Sequence, residues 1–172
     1  GFGGLGMGAR LLQAGIDTFT IFEKADRVGG TWRDNTYPGA ACDVPSHLYS
    51  LSFVPNPEWS RKFPTQPEIQ AYLESIPDRT GIRYHILFGV EVRAIRYDDD
   101  TRTWRVTVAD EHGERTEDFD VVVAATGQLN RPHLPDVPGL DEFAGPAFHS
   151  ARWDHDVDLT GRHVGVVGIG AS

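Results

Sequence analysis

The chain opens on the stretch Gly1-Phe2-Gly3-Gly4-Leu5-Gly6, which matches the pattern GxGxxG. Glycines at this spacing let backbone N–H groups approach a pyrophosphate at the N-terminus of a helix. The first glycine makes the tight turn, the second permits close approach of the ligand, and the third lets the helix pack on its strand. The stretch therefore predicts a dinucleotide-binding α/β fold of the Rossmann type.

The residues after the glycines predict the helix and strand that such a motif requires. Apolar side chains recur through 4–14 at helical spacing, and Gly15 follows where a C′ glycine would end the helix. The segment 18–22 indicates a strand, which ends in Glu23. Glu23 follows Gly3 by about 20 residues, the spacing at which a Rossmann carboxylate accepts hydrogen bonds from ribose hydroxyls. The alternative is a solvated glutamate at a strand end.

A second glycine motif stands at the other end of the chain. The apolar run 162–167 predicts a buried strand, which leads into Gly168 and Gly170. Two dinucleotide sites are thus predicted. Because the chain opens inside one motif, closes inside the other and has no initiator Met, we expect a piece of a longer protein that lacks the strand before Gly1.

The middle of the chain combines an irregular excursion with regular elements. The proline-rich segment 31–64 predicts a long functional loop, and Thr65-Gln66-Pro67-Glu68 is a capping box that starts a helix. The apolar run 121–125 predicts a parallel strand buried on both faces. A small antiparallel meander is predicted by three segments with turn compositions between them: 91–97, 103–109 and 115–119. The predicted architecture is a parallel sheet with an inserted antiparallel β meander.

Composition excludes several other classes of protein. The net charge of -9 argues against a nucleic-acid or anionic-membrane partner. No run of about 18 apolar residues is present, so we expect no membrane span. Cys42 is the single cysteine, which excludes an internal disulfide, a multi-cysteine metal cluster and the cysteine pair of a disulfide-reductase flavoenzyme. A lone cysteine fits a reducing cytoplasm.

The stretch 143–154 discriminates best among families of dinucleotide-binding enzymes. Its residues follow the pattern FxGxxxHxxxW(P/D), which resembles the fingerprint of type I Baeyer–Villiger monooxygenases, through Phe143, Gly145, His149, Trp153 and Asp154. The related flavin-containing monooxygenases carry Tyr or Phe in place of the tryptophan. On its own, a histidine such as His149 is more often a satisfied structural residue. Within the fingerprint, the resemblance implies that His149 and Trp153 couple two nucleotide domains.

The resemblance extends over the chain, through the segments 29–32 (GGTW), 37–43 (YPGAACD) and 124–127 (AATG). It implies cofactor contacts as follows: Gly1, Gly3 and Gly6 at the FAD pyrophosphate, Glu23 at the ribose, Gly30, Thr31, Trp32, Asp43 and Tyr49 beside the flavin, the Val92 backbone at the adenine, Thr126 and Gly127 beneath the flavin, and Gly168 and Gly170 at NADP. Asp43 is further expected to orient a cationic side chain over the flavin; the alternative is a loop cap through an Asx turn.

The chain departs from the family pattern at two positions of the segment that contains Asp43. Ala41 stands where many members carry arginine, and Pro45 stands where they carry an acid. An arginine at the first position would bring a fixed positive charge toward the flavin and nicotinamide. These departures keep the flavin-containing monooxygenases open as the alternative subtype.

The resemblance implies an FAD- and NADPH-dependent monooxygenase that inserts one oxygen atom of O₂ into a ketone through a flavin C4a-peroxide. The alternatives are an N- or S-oxygenating monooxygenase and a non-catalytic FAD-binding fragment. The expected organisation is an FAD-binding domain over 1–130, an inter-domain linker over 131–160 and the start of an NADP-binding domain over 161–172. The chain alone is expected to be inactive and to bind FAD weakly.

Overall fold

The computed structural model describes residues 1–170 and Ser172. Eight helices and strands are assigned in these residues, besides three short 3-10 turns at Ser46–Leu48, Ile82–His85 and Ser150–Arg152: α1 Phe2–Gln13, β1 Ile21–Glu23, α2 Thr31–Asp34, α3 Gln66–Thr80, β2 Ile86–Phe88, β3 Glu91–Asp98, β4 Thr103–Asp110 and β5 Gly113–Phe119. β1 pairs with β2 in parallel, and β3, β4 and β5 form an antiparallel meander. The predicted α/β class, with a parallel sheet and an antiparallel insertion, is confirmed.

α1 begins after Gly1 and ends where the sequence predicts. Its C-cap is Ala14, and Gly15 follows with φ +78°, as expected of a C′ glycine. The close approach of helix to strand occurs at Gly8, because a Cβ there would lie 2.7 Å from Ile21 Cδ1. A Cβ on Gly6 would instead meet Leu51 at 3.3 Å, so Gly6 faces the segment between α2 and α3 and not β1.

α3 supplies four of the eleven buried residues of the larger core. The predicted capping box is present: the Thr65 N–H donates to Glu68 Oε2 over 3.3 Å, and the helix ends at Gly81 in the left-handed conformation. Ile69, Leu73 and Ile76 are fully buried, and their spacing places them on one face of the helix. They belong to the same cluster as Leu5 of α1. α1 and α3 thus enclose one core.

The excursion between α2 and α3 lies over this core. The Tyr72 hydroxyl of α3 donates to the Val54 carbonyl over 2.7 Å and accepts from the Leu51 N–H over 2.8 Å. At its far end, the Cys42 N–H donates to the Pro64 carbonyl over 2.9 Å. The segment is therefore fastened at several points, as predicted for a long loop with a function.

Two predicted strands are absent from the part of the chain that the structure describes. Residues 121–125 and 162–167 take no strand assignment, and Val121 and Val166 are largely exposed. Parallel strands gain their burial and their hydrogen bonds from neighbours, and the one parallel pair among residues 1–170 and 172 is β1–β2. The two predictions of buried strands are therefore wrong for this structure, and the start of a second Rossmann unit over 161–172 stays a prediction. Ala171, within the second glycine motif, lies outside the described residues.

The meander has a small core of its own. Val106 and Val108 of β4 are buried together with Val90, against partly buried Phe22 and Val122. Val122 lies in the predicted strand 121–125, so one side chain of that run reaches an apolar neighbour. Among the described residues, no helix has both the length and the apolar character needed to cross a bilayer.

Candidate functional site

The N-terminus of α1 meets a glycine turn that precedes α2. Gly30 has φ +58°, and a Cβ on it would lie 3.2 Å from the Gly1 Cα. The first N–H groups of a helix have no partner within the helix, and α1 has no acidic residue in its first turn. The two backbones therefore form a side-chain-free cradle of N–H donors, which suits an anion.

Of the predicted phosphate-binding glycines, two lie at this cradle and one does not. Gly1 is the N-cap of α1, and Gly3 lies in its first turn. Gly6 lies in the second turn, where the backbone N–H already belongs to the helix. The expected pyrophosphate contact from Gly6 has no support in this geometry, because the helix begins earlier than the motif suggested.

Gln70 of α3 fastens the glycine turn. Its Nε2 donates to the Val28 carbonyl over 2.9 Å and to Glu74 Oε1 over 2.7 Å. Its Oε1 has no hydrogen-bond partner among the described residues and lies over Gly29, where a Cβ would sit 2.2 Å away. Gly29 also has φ +138°, so this position excludes every other residue type.

Glu23 stands at the end of β1, as predicted. Its side chain is 16% exposed, and Oε1 accepts from the Ala25 N–H and from Arg33 Nη1, each over 3.0 Å. Oε2 accepts no hydrogen bond from residues 1–170 or Ser172. The carboxylate thus has one oxygen held and one free to accept from a ligand hydroxyl.

Arg33 was not predicted from the sequence. Its side chain is 10% exposed, and its Nε lies 2.9 Å from Asp34 Oδ1. Burial acts to lower the pKa of Arg33, but the hydrogen bonds and charges of Asp34 and Glu23 outweigh it, so the pKa is raised. The arginine is therefore a fixed cation beside the predicted ribose acceptor. Its position next to Trp32, in a segment already expected to contact FAD, is the signal that could have indicated it.

The predicted flavin-side aromatic residues are brought together. Trp32 Nε1 donates to the Tyr49 hydroxyl over 3.0 Å, and the two rings meet edge to face with centroids 5.7 Å apart. Burial raises the pKa of Tyr49, against the opposing hydrogen bond from Trp32. Thr31 begins the helix that carries Trp32. These side chains form a rigid aromatic pair one turn away from Gly30.

Asp43 is exposed and follows buried Cys42. Within the described part of the chain, no group donates a hydrogen bond to its carboxylate, so the alternative of an Asx turn is not formed. Its negative charge is close enough to Tyr49 to contribute to the raised pKa of that hydroxyl, after burial. Asp43 therefore remains available to a cationic group near the aromatic pair.

The segment 124–127 reaches the same cradle. A Cβ on Gly3 would lie 3.4 Å from the Ala125 Cβ, which places Ala125 against the first turn of α1. Thr126 accepts a hydrogen bond at its carbonyl from Asn130 Nδ2 over 2.9 Å, and Gly127 has φ +75°. The segment that is predicted to pass beneath the flavin therefore contacts the glycine motif through Ala125.

The fingerprint residues form a local structure of their own. His149 caps the 3-10 turn Ser150–Arg152, because its Nδ1 accepts from the Ala151 N–H over 3.0 Å. Trp153 packs edge to face on Phe148 with centroids 5.1 Å apart. A Cβ on Gly145 would lie 2.8 Å from the Phe143 ring, but that ring is exposed and can move aside, so the contact does not by itself require glycine.

This turn is anchored beside α2. Ala151 is buried, and His155 Nε2 forms a hydrogen bond with Thr36 Oγ1 over 2.9 Å. The fingerprint segment is therefore fastened next to the helix that carries Trp32 and Arg33.

Three of the predicted site residues lie apart from this cluster. Val92 is on β3 opposite Val108 and is partly exposed. Gly168 and Gly170 lie in an exposed stretch, and a Cβ on either would meet nothing within 4 Å. The predicted contacts of Gly168 and Gly170 with NADP therefore stay a prediction.

The cradle, the acid at the end of β1 and the aromatic pair are the features that the sequence predicts for a dinucleotide site. The chain belongs to the flavin-binding monooxygenase-like family, whose model matches residues 9–172. It is 55% identical over 172 residues to a Baeyer–Villiger monooxygenase of Streptomyces coelicolor, covering 100% of this chain and 32% of that protein. The resemblance inferred from the sequence is confirmed.

Solved structures agree with this assignment. The crystal structure of cyclohexanone monooxygenase with bound epsilon-caprolactone is 42% identical, with a TM-score of 0.85, and the match covers 99% of this chain and 34% of that one. OTEMO in complex with FAD and NADP is 35% identical, with a TM-score of 0.79, over 90% of this chain and 29% of that one. The chain spans about a third of the length of the relatives it matches.

Proposed function

We propose that the chain forms the FAD-binding part of an FAD- and NADPH-dependent Baeyer–Villiger monooxygenase, which inserts one oxygen atom of O₂ into a ketone. The observation that carries the proposal is the side-chain-free cradle between Gly1 and Gly30. A Cβ on Gly30 would lie 3.2 Å from the Gly1 Cα. It stands next to the acid at the end of β1. The similarity to a relative named Baeyer–Villiger monooxygenase supports the reaction.

The residues present fit FAD. Any side chain at Gly30 would enter the cradle, so the backbone is shaped for a ligand group to approach it closely. We assign the free N–H groups at the start of α1, from Gly1 through Gly3, to the pyrophosphate and Glu23 Oε2 to a ribose hydroxyl. Thr31, Trp32 and Tyr49 would flank the flavin.

When bound, FAD supplies the hydride acceptance from NADPH and the activation of O₂, and the protein supplies orientation and electrostatics. Asp43 would hold a cationic side chain over the flavin through its free carboxylate. Val92 would meet the adenine through its backbone, and Thr126 and Gly127 would pass beneath the flavin. His149 and Trp153 would couple the cofactor domains through the capped turn beside α2.

The proposed organisation keeps an FAD-binding domain over 1–130, a linker over 131–160 and the start of an NADP-binding domain over 161–172. Gly168 and Gly170 would contact NADP. The substrates are a small ketone and O₂, and the lone cysteine supports a cytoplasmic location.

A second candidate is oxygenation of a nitrogen or sulfur atom. It is favoured by Ala41 and Pro45, which replace the arginine and the acid that many Baeyer–Villiger enzymes carry. Assays of NADPH-dependent oxygenation by the enzyme that contains this chain, with cyclic ketones, aryl ketones, sulfides and amines, separate the two. Ester formation supports the first function, whereas turnover of sulfides or amines alone supports the second.

Removal of the ribose acceptor is expected to weaken FAD binding. In the enzyme that contains this chain, Glu23→Ala should cost about 1–3 kcal/mol of FAD binding free energy, because charged hydrogen bonds are lost. Flavin occupancy after gel filtration measures the effect. Glu114→Ala, at an exposed acid of β5, is the matched control. Equal occupancy in the two variants would refute the assignment of Glu23.

The cap formed by His149 gives a separate prediction. His149→Ala should keep FAD bound and lose ketone turnover, because the turn beside α2 loses the acceptor for the Ala151 N–H. His149→Asn should restore much of the turnover, since the asparagine oxygen is a good cap for a turn. Ketone turnover of both variants at equal FAD content is the measurement. Turnover by His149→Ala at the wild-type rate would show that the cap is dispensable, and failure of both variants would point to proton transfer instead.

A further inference from the structure

We propose that Arg33 is a positioning residue for the adenosine ribose of FAD, acting by holding Glu23 so that Oε2 points to the ligand. The proposal rests on the FAD site proposed above. It assigns a role in cofactor recognition to a residue of α2 that is not itself expected to contact the ribose.

The two carboxylate oxygens of Glu23 differ in their hydrogen bonds. Both donors, the Ala25 N–H and Arg33 Nη1, reach the same atom, Oε1, each over 3.0 Å. Within the described residues, Oε2 has no donor. Two donors on one oxygen restrict the rotation of the carboxylate, and the other oxygen keeps its full acceptor capacity. Glu23 Oε1 therefore orients the carboxylate, and Oε2 stays available to the ribose hydroxyls.

Arg33 is itself held by several hydrogen bonds. Its Nε and Nη2 face the two oxygens of Asp34, at 2.9 and 3.4 Å, while Nη1 also donates to the Arg27 carbonyl over 3.0 Å. All three guanidinium nitrogens are engaged, and the side chain is nearly buried. An ammonium group is a point charge and cannot serve three partners in fixed, separate directions. The position thus requires the planar fork of arginine.

Arg33 lies in α2, the helix that also carries other predicted cofactor contacts. The same four-residue helix carries Trp32, which pairs with Tyr49 on the flavin side, and its N-cap is Gly30, which lies against Gly1. One rigid element therefore connects the expected flavin, pyrophosphate and ribose contacts. Arg33 is its link to the ribose acceptor on β1.

A double-mutant cycle on FAD affinity tests the proposal. Glu23→Ala, Arg33→Met and the double variant are made in the enzyme that contains this chain, stripped of FAD, and the dissociation constant is measured by flavin fluorescence. Arg33→Met should raise the constant roughly 10- to 100-fold, because the free oxygen of Glu23 loses its orientation. In the Glu23→Ala background the same change should add less than about twofold, because no carboxylate remains to be positioned.

Two further variants complete the design. Arg83→Met removes an arginine from an exposed ion pair with Asp78 and should leave FAD affinity unchanged. Arg33→Lys keeps the positive charge but not the fork, and should lie between wild type and Arg33→Met. It replaces Arg33→Met in the cycle if that variant does not fold.

The outcomes distinguish a failure of the proposed function from a failure of the proposed role of Arg33. Failure of the wild-type enzyme to bind FAD overturns the proposed function itself. If the wild type binds FAD but Glu23→Ala does not weaken FAD binding, the assignment of Glu23 to the ribose and the role of Arg33 both fail. If Arg33→Met weakens FAD binding equally with and without Glu23, Arg33 merely supports the local fold, and the positioning role is wrong.

Discussion

Gly29→Ala is expected to abolish FAD retention by the enzyme that contains this chain. Gly29 has φ +138°, which L-residues rarely adopt, and its Cβ would lie 2.2 Å from Gln70 Oε1 and 2.7 Å from the Arg33 Cβ. Backbone strain and overpacking together cost about 2–6 kcal/mol. Because Gly29 precedes Gly30, the turn cannot relax without moving away from Gly1. Thermal unfolding and flavin content after gel filtration measure the two consequences.

The control for this prediction is Gly15→Ala. Gly15 also has positive φ, at +78°, but a Cβ on it would meet nothing within 4 Å. It should show the cost of the left-handed conformation alone, roughly 1–2 kcal/mol, and should retain FAD. If both variants lose the same stability and keep FAD, the contact with Gln70 has no part in shaping the cradle.

Gly3→Asp is expected to eliminate FAD binding while the fold is kept. Gly3 lies in the first turn of α1, where its Cβ would make an ordinary contact of 3.4 Å with the Ala125 Cβ. An aspartate there favours the helix by about 0.3–1 kcal/mol through the helix dipole. The same charge would face the pyrophosphate, and juxtaposed like charges cost several kcal/mol. We expect the dissociation constant for FAD to rise more than about 100-fold.

Gly3→Asn is the matched control for that variant, because it has nearly the same shape without the charge. It should bind FAD much more tightly than Gly3→Asp, with a similar melting temperature. Equal affinities in the two variants would show that the first turn of α1 does not face a phosphate.

The elements that were predicted correctly depend on signals close together in the chain. Gly15 ends α1, the capping box at Thr65 starts α3, and short turns separate the strands of the meander. The runs 121–125 and 162–167 carry an equally apolar pattern, but a parallel strand depends on neighbours distant in sequence. Hydrophobicity alone therefore predicts that these two runs tend to form strands. It does not predict whether neighbouring strands are present to pair with them.

The same distinction applies to the site. Glu23 and the pair of Trp32 and Tyr49 could be expected from spacing and from family segments, and the structure puts them beside the cradle. The roles of Gly29 and Arg33 could not be expected from the sequence, because these roles depend on contacts across the fold. Gln70 reaches Gly29 from a different helix, and Arg33 reaches back from α2 to the end of β1. Sequence spacing gives no measure of these distances.

The most direct test of the central claim is the fate of oxygen during turnover. The enzyme that contains this chain, loaded with FAD, is incubated with NADPH, cyclohexanone and isotopically labelled O₂, and the products are analysed by mass spectrometry. The account predicts a lactone that carries one labelled oxygen atom, formed as one NADPH is oxidised and the second oxygen atom leaves as water. NADPH oxidation without a labelled lactone from cyclohexanone, and without a labelled lactone or ester from any other ketone tested, would contradict it.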